Sequence, residues 1–373
     1  MDKMMPRFCT ISLALTIWCG TPRFANAGKL TRVWEIDLRQ AVKAKNGMAE
    51  FPVFALRFSP DGHKLAVIAD VYNTDGGRKS RLLVGRVDHP PTNFKEFEVE
   101  FGILDNGRLG ALNFGWAPSG EIVYAVGKVA HLAEGTTCDL PNQSVFVSDD
   151  VAMSTRGVPP SGNITGTQIK FYDGSCKERG QWDVPESWLV SDVSTDRGML
   201  SVLREISIGR AEDLIVDPMA RKVVQRWNGS RAGGWQFADS GRAMCQGGAG
   251  FNPERTPTLC RNVDTGKEIG ETLKTGAEPI ETAAHSLRVV VTDYQRTKIP
   301  FSYEYHSEFK GRYVWDFRTG QELASWHPES QTYPSVFSPA KTITEPYCFT
   351  MSPDGQFVAE GGNGIIRLYK IEP

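Results

Sequence analysis

Short apolar strands separated by tight turns recur along the chain. The segments LRFSPDGHKLAVIAD (56–70) and FTMSPDGQFVAEGG (349–362) show this pattern most clearly. In both, an apolar run precedes Ser-Pro-Asp-Gly and a second apolar run follows it. Proline presets its own φ, aspartate bonds to its own backbone and glycine accepts a positive φ, so this sequence favours a tight turn. The pattern predicts a β-hairpin as the first half of a repeating unit.

Four further segments repeat this hairpin with less regular turns: LNFGWAPSGEIVYAVG (112–127), SDVSTDRGMLSVLRE (191–205), WQFADSGRAMCQGG (235–248) and IETAAHSLRVVVTDY (280–294). A second strand pair, often ending in tryptophan, follows several copies, as in YVWDFRTGQELASW (313–326). Units of four strands repeated along a chain are typical of an all-β propeller, in which each unit forms one blade. The six first-half copies predict a six-bladed β-propeller, with a seven-bladed one as the alternative if residues 331–346 hide another copy.

The turn sequences resemble those of the WD40-like propeller family. Ser-Pro-Asp-Gly occurs at 59–62 and 352–355, Val-Trp-Asp at 314–316, and Thr-Gly at 265–266 and 319–320. The resemblance extends over most of the chain. It implies an architecture rather than any one activity.

The chain ends after three strands of its last unit, at IIRLYKIEP (365–373), so that unit lacks a fourth strand. The segment GKLTRVW has the spacing of the missing strand, because Gly28 precedes Trp34 by the same six residues that separate Gly320 from Trp326. We therefore expect the N-terminal strand to close the last blade. Such closure leaves no open sheet edge between the first blade and the last.

Residues 1–27 have the character of a secretory signal peptide. They begin with basic Lys3 and Arg7, continue with a mostly apolar run at 11–18 and end in Ala25-Asn26-Ala27. Small residues at both positions of an Ala-x-Ala motif suit signal peptidase, and the apolar run is too short to span a bilayer. We expect cleavage between Ala27 and Gly28 and a secreted or periplasmic location.

Composition narrows the possible partners of the remaining domain, residues 28–373. The leader carries Lys3, Arg7 and Arg23 against Asp2, so cleavage changes the net charge from −2 to −4. A nucleic-acid binder usually shows a basic stripe, and we expect no such partner. No second stretch is long and apolar enough for a transmembrane helix. The expected product is a monomeric single domain without an integral membrane segment.

Five cysteines follow the leader: Cys138, Cys176, Cys245, Cys260 and Cys348. An exported protein can form disulfides, and an odd number leaves at least one thiol unpaired within the chain. Cys245 and Cys260 fall on adjacent antiparallel strands, which can bring their Cβ atoms to the separation of about 3.8 Å that a disulfide requires. The sequence therefore predicts a Cys245–Cys260 disulfide, and it leaves the pairing of the other three open.

Four segments are longer than the other connections: 71–79, 129–166, 295–311 and 327–346. Each is expected to join the second strand of a unit to the third, or the fourth to the next unit. In a propeller these connections lie on one face, here called the insertion face. Loops on a rigid scaffold often carry function, so this face is the predicted contact surface.

Aromatic residues supply the candidate binding residues. Phe301, Tyr303 and Tyr305 alternate along the chain, which puts their side chains on one side of a strand. Aromatic rings with polar tips suit a binding surface; packing against the top of the propeller is the alternative. Trp188 and Trp235 stand near the entries of innermost strands, where they either line the channel mouth or pack in the core.

The sequence carries no recognisable catalytic or metal motif. Its six histidines lack His-Glu-x-x-His or Cys-x-x-Cys spacing, and there is no Gly-x-Ser-x-Gly elbow or Gly-rich phosphate loop. We therefore expect no cofactor. The predicted function is a binding or scaffold module for a protein or peptide. The alternative is a propeller enzyme, such as a hydrolase, lactonase or dehydrogenase, or a carbohydrate-binding lectin with a site at the channel mouth.

Overall fold

Seven four-stranded antiparallel sheets form the fold in a computed structural model of the chain. The structure describes residues 28–41, 53–72, 78–91, 93–99, 114–141, 144–158, 166–207, 210–228, 235–247, 258–273, 280–298, 305–327, 331–333, 341–343, 348–362 and 364–372. None of these residues forms a helix long and apolar enough to cross a membrane.

The strands up to residue 139 are β1 (Leu30–Asp37), β2 (Val53–Phe58), β3 (Lys64–Tyr72), β4 (Arg78–Arg86), β5 (Lys95–Val99), β6 (Phe114–Trp116), β7 (Ile122–Ala125), β8 (Lys128–His131) and β9 (Thr136–Asp139). Those up to residue 228 are β10 (Ser144–Ser148), β11 (Val151–Val158), β12 (Gly166–Tyr172), β13 (Glu178–Val184), β14 (Trp188–Ser194), β15 (Met199–Ser207), β16 (Arg210–Asp217) and β17 (Lys222–Asn228).

The remaining strands are β18 (Gln236–Ala238), β19 (Ala243–Gln246), β20 (Thr258–Asn262), β21 (Glu268–Leu273), β22 (Ile280–Thr282), β23 (Arg288–Lys298), β24 (Tyr305–Asp316), β25 (Gln321–Trp326), β26 (Gln331–Tyr333), β27 (Lys341–Ile343), β28 (Cys348–Met351), β29 (Phe357–Gly361) and β30 (Ile365–Ile371). One short helix, α1 (Leu38–Ala41), follows β1.

The sheets are arranged as blades of a β-propeller. Blades 1 to 6 are β2–β5, β6–β9, β10–β13, β14–β17, β18–β21 and β22–β25, and blade 7 has the order β28-β29-β30-β1. The innermost strands β2, β6, β10, β14, β18, β22 and β28 each contact the next, and β28 contacts β2, which closes the ring. Apolar clusters fill the spaces between neighbouring blades. The predicted all-β propeller is confirmed.

The predicted count of six blades is wrong, because the segment 129–166 contains the end of blade 2 and the first two strands of blade 3. That segment was expected to be one loop, but β9, β10 and β11 lie entirely within it. The turn between β10 and β11 is Asp149-Asp150, which has neither the proline nor the glycine of the regular Ser-Pro-Asp-Gly turns. Residues 331–346, where the alternative placed a hidden blade, instead contribute the two-stranded hairpin β26–β27.

The expected closure by the N-terminal strand is confirmed. Strand β1 pairs with β30, with Leu30 opposite Ile371 and Asp37 opposite Ile365. Trp34 is 5% exposed, and its indole Nε1 donates to the Val87 carbonyl of blade 1 at 2.9 Å. The tryptophan thus ties the closing blade to its neighbour across the ring junction.

Tryptophans on other outermost strands serve the same purpose. Trp182 packs edge-on against Trp188 of the next blade at 5.4 Å between ring centroids, and the rings of Trp227 and Trp235 lie 5.5 Å apart at a tilted angle. Trp326 donates from Nε1 to a carboxylate oxygen of Glu360 in blade 7 at 2.8 Å. The recurrent tryptophan at the end of a unit is therefore a contact between blades.

Two disulfides reinforce the ring. The predicted Cys245–Cys260 bridge is confirmed, and it joins directly opposite residues of β19 and β20. A second bridge joins Cys138, on the outermost strand of blade 2, to Cys176 in the turn between β12 and β13 of blade 3. Cys348 is the free thiol among the described cysteines. Two disulfides are compatible with an oxidising compartment.

The other three predicted insertions lie at connections that a propeller places on one face. Strands β3 and β4 extend into the two ends of 71–79, and β23 and β24 extend into 295–311, so the described parts of both segments are strand. Segment 327–346 contains the hairpin β26–β27 between blades 6 and 7. The insertion face is therefore built partly from regular strands.

Candidate functional site

Charged side chains line the axial channel, which the seven innermost strands surround. Arg57 stands on β2, Asp192 on β14 and Glu281 on β22, and polar Thr350 stands on β28. These strands belong to blades 1, 4, 6 and 7. The innermost strands of three separate blades thus each carry one of these charges.

Arg57 and Glu281 form an ion pair across blade 7. The guanidinium Nη1 of Arg57 donates to Oε1 of Glu281, and the hydroxyl of Thr350 donates to the same oxygen at 3.1 Å. The Arg57 side chain is 27% exposed and that of Glu281 is 12% exposed. The pair is therefore partly accessible to solvent.

The pair is ionic in character. The charge of Glu281 is the main cause that raises the pKa of Arg57 above its ordinary value. Burial raises the pKa of the Glu281 carboxyl, and the positive charge of Arg57 opposes that effect. Each partner thus offsets the cost of removing the other from bulk water.

Asp192 lies on β14, the innermost strand of blade 4. Its Oδ2 accepts a hydrogen bond of 2.6 Å from the backbone N–H of Phe237 on the neighbouring blade. Burial raises the pKa of Asp192 to about 7, although the N–H groups of Phe237 and Val193 and the charge of Arg57 all oppose the rise. This carboxyl therefore changes its charge close to neutral pH.

Tyr124 is a buried phenol on β7 of blade 2. Its phenol extends over Gly115, where an added Cβ would collide with the hydroxyl, so only glycine leaves room for this ring. Burial raises the pKa of Tyr124 above its ordinary range, and the charges of Arg57 and Asp192 both act on the hydroxyl. The phenol thus lies close to the charged groups and stays protonated at neutral pH.

A second candidate surface is the hairpin formed by β23 and β24. The inner strand β22 pairs with β23 only at Val289–Val291, and β25 pairs with β24 only from Arg312 to Asp316. Residues 294–298 continue the ladder with 305–309 alone. Within the described residues, this part is a two-stranded ribbon extending beyond the blade, here called the blade-6 arm.

The residues predicted for binding lie in three different places. Phe301 and Tyr303 lie outside the described residues, whereas Tyr305 begins β24 opposite Lys298 in the blade-6 arm. Trp188 and Trp235 are 8% and 2% exposed and pack in different cores between blades. Their proposed roles in binding stay predictions.

Sequence reasoning missed the channel charges. The available signal was a charged residue inside a short apolar strand: Arg57 in LRF, Asp192 in SDVS and Glu281 in IET. Charged side chains are rarely placed inside a protein without a partner. The partners could not be identified, because they belong to blades that are distant in sequence.

No known protein family model matches the chain, and no curated protein matches its sequence. Within the described residues, no group of three or more His, Cys, Asp or Glu side chains is placed to hold a metal ion. Function is therefore inferred from the geometry of the channel and of the blade-6 arm.

Proposed function

We propose that this chain is an exported β-propeller of WD40-like architecture that acts as a binding module and presents its insertion face to a protein or peptide partner. The observation that carries the proposal is the blade-6 arm, whose residues 294–298 and 305–309 pair only with each other among the described residues. The two disulfides support an extracytoplasmic setting.

The arm adds little to the stability of the propeller. A two-stranded hairpin by itself is marginally stable in water, and this one extends past both of the strands that flank it in blade 6. An element that the fold does not need, placed on the face where loops commonly bind, is well suited to contact another molecule.

The base of the arm is firmly anchored. Val289, Val291 and Val314 are fully buried where β23 and β24 enter the blade. Arg312 forms an ion pair of 3.0 Å with Glu360 of blade 7, and both side chains are at most 3% exposed. A rigid base reduces the entropy that is lost when the arm binds a partner.

The channel-mouth alternative has less support. An enzyme or a lectin needs convergent groups aimed at a ligand. Trp188 and Trp235, the aromatic candidates for the mouth, are buried between blades. We therefore favour the binding module over an enzyme or a lectin.

The proposal is tested by shortening the arm. Residues 296–307 would be replaced by Asn-Gly, which favours a two-residue hairpin turn, because Gln295 and Glu308 are directly opposite each other. Cross-linked partners of the shortened and original chains would be recovered from the extracytoplasmic fraction of the source cells and quantified by mass spectrometry. The control variant Met219→Ser changes an exposed residue in the turn between β16 and β17, on the opposite face.

Some partners should be recovered with both the original chain and the control. We expect the recovered amount of these partners to be at least about tenfold lower with the shortened arm, as loss of a binding hot spot would cause. The melting temperature should change by less than about 3 °C. Recovery of the same partners at undiminished levels would contradict the proposal. A large loss of stability would also contradict it, because the arm would then be structural.

A further inference from the structure

The disulfide between Cys138 and Cys176, here called the rim disulfide, is more exposed than the other bridge. Both of its cysteines are partly exposed, whereas Cys245 and Cys260 are completely buried. Cys138 lies on β9, the outermost strand of blade 2, and Cys176 lies in the turn between β12 and β13 of blade 3. Exchange with a free thiol requires access to a sulfur atom, and the rim disulfide meets that requirement.

A histidine contacts one end of the rim disulfide. Nε2 of His131, the last residue of β8, lies 3.8 Å from Sγ of Cys138, which is within hydrogen-bonding distance for a sulfur atom. A positively charged histidine beside a cysteine favours its thiolate, and a stabilised thiolate leaves a disulfide more readily. The contact therefore marks Cys138 as the sulfur that departs when the bridge is opened.

The other end of the bridge is presented on a fixed turn. Cys176 has a φ of 63°, in the left-handed region that residues other than glycine seldom adopt. Its N–H donates to the Asp173 carbonyl at 2.9 Å, and the Asp173 carboxylate accepts from the N–H groups of Ser175 and Lys177 at 3.0 and 2.9 Å. Ser175 and Lys177, on either side of Cys176, are both exposed. Strained residues of this kind cluster at functional sites, and this one carries a sulfur that a thiol can reach.

We propose that the rim disulfide is a thiol–disulfide exchange site, at which a thiol attacks Sγ of Cys176 and His131 protonates the departing Sγ of Cys138. The thiol belongs to a small molecule or to a cysteine of a peptide. The site lies on blades 2 and 3, apart from the blade-6 arm, so it does not depend on the function proposed for the arm.

The exchange balances without a further reagent. The incoming thiol loses its proton to solvent, and its thiolate sulfur forms a bond with Sγ of Cys176. The bond between Cys176 and Cys138 breaks, and its electron pair goes to Sγ of Cys138, which takes a proton from Nε2 of His131. His131 then recovers a proton from solvent. The incoming thiol is thus oxidised to a mixed disulfide while Cys138 is reduced, and the covalent link between blades 2 and 3 is opened.

The test is incubation of the folded, oxidised chain with glutathione, followed by an acid quench, alkylation of free thiols and peptide mapping by mass spectrometry. The buried Cys245–Cys260 bridge is the internal control. We expect glutathione on Cys176 and a free thiol on Cys138, with the rim disulfide opening at least about 100-fold faster than the control bridge. Equal rates for the two bridges, or glutathione found mainly on Cys138, would overturn the proposal.

A second thiol distinguishes the two sources of the substrate. A heptapeptide with one central cysteine between glycines would be supplied at the same thiolate concentration as glutathione. Faster exchange with the heptapeptide identifies a peptide cysteine as the substrate, and faster exchange with glutathione identifies a small thiol. Failure of both thiols to modify Cys176 would overturn the proposal.

The variant His131→Gln tests the role of the imidazole. It should slow the opening of the rim disulfide at least about tenfold, because a proton donor at the departing sulfur is lost. Glutathione should then be found on both cysteines, a change of selectivity that a merely structural role would not cause. His89→Gln, at an exposed histidine after β4, is the control and should leave rate and selectivity unchanged.

An undiminished rate or an unchanged selectivity in His131→Gln would overturn the proposal. Melting curves of both variants establish that the chains are folded. If His131→Gln does not fold, the position of glutathione and the comparison of the two bridges in the original chain still decide.

Discussion

The ion pair between Arg312 and Glu360 yields the sharpest prediction about stability. Arg312 on β24 and Glu360 on β29 join blades 6 and 7 at 3.0 Å, with 3% and 2% of their side chains exposed. Arg312 also lies over the ring of Phe349, with 4.1 Å from Cζ to the ring centroid, and Trp326 donates to Glu360. Both charges are thus almost completely removed from water.

Removing one partner of this pair deletes a charge–charge contact inside the protein. The variant Glu360→Gln keeps the size of the side chain and an oxygen for Trp326, but it removes the carboxylate charge that Arg312 contacts. Breaking a buried ion pair in this way costs about 3–5 kcal/mol. Changing Arg312→Met as well removes the second charge, and the double variant should recover to within about 2 kcal/mol of the original chain.

The assay is urea unfolding at pH 7, monitored by tryptophan fluorescence, of the original chain, the two single variants and the double variant. The four m-values must be equal for the free energies to be compared. Arg86→Met is the control, since Arg86 pairs with Asp88 at the surface with 67% of its side chain exposed, and the free energy of unfolding should hardly change. The reasoning is refuted if Glu360→Gln also costs less than about 1 kcal/mol, or if the double variant loses the sum of the single losses.

Three further predictions address closure, pH and the cysteines. A chain that begins at residue 39 lacks β1 and should lose the cooperative unfolding transition, because β30 then has an unpaired edge. Calorimetry measures this transition, and an unchanged transition would show that closure by β1 is not needed for stability. Asp192→Asn should raise the melting temperature at pH 8 but not at pH 4. Folding raises the pKa of this carboxyl, so its ionisation destabilises the folded chain as the pH rises through 7. A shift in melting temperature that is equal at both pH values would exclude this cause. Replacing Cys245 and Cys260 by alanine should cost about 3 kcal/mol in urea unfolding, as expected for a loop of 15 residues, and no loss would show that the bridge is dispensable.

Local patterns were sufficient to predict most of the fold. Turn sequences such as Ser59–Gly62 report the conformation of their own residues, so each regular hairpin could be placed from the chain alone. The spacing of Gly28 and Trp34 identified β1 as the closing strand, and the pairing confirms it. The Cys245–Cys260 bridge could be predicted because the two cysteines fall on adjacent strands, and the structure places them directly opposite each other.

The missed blade shows the limit of such patterns. Strands β10 and β11 turn through Asp149-Asp150, and the Asp149 carboxylate accepts from the backbone N–H of Ser119 in the preceding blade at 2.7 Å. That bond, rather than a proline or glycine, helps to support the turn. A contact between residues so far apart leaves no local mark in the sequence.

The channel could not be predicted for a similar reason. Arg57 and Glu281 are far apart along the chain, and only ring closure brings blades 1, 6 and 7 together. The sequence shows each charge within its own strand but not the partner that it meets. Aromatic residues, which are conspicuous in the sequence, drew the prediction towards Trp188 and Trp235 instead.

Closure of the ring by β1 also constrains the order in which the protein can be completed. The ladder between β1 and β30 joins two strands that are far apart in the sequence, so it cannot form before residues 365–371 have been synthesised. Until then β1 lacks the partner strand of this ladder, and loop-closure entropy opposes the pairing of segments so far apart. The propeller therefore becomes a continuous ring only after β30 has been made, and blade 7 stays incomplete until that point.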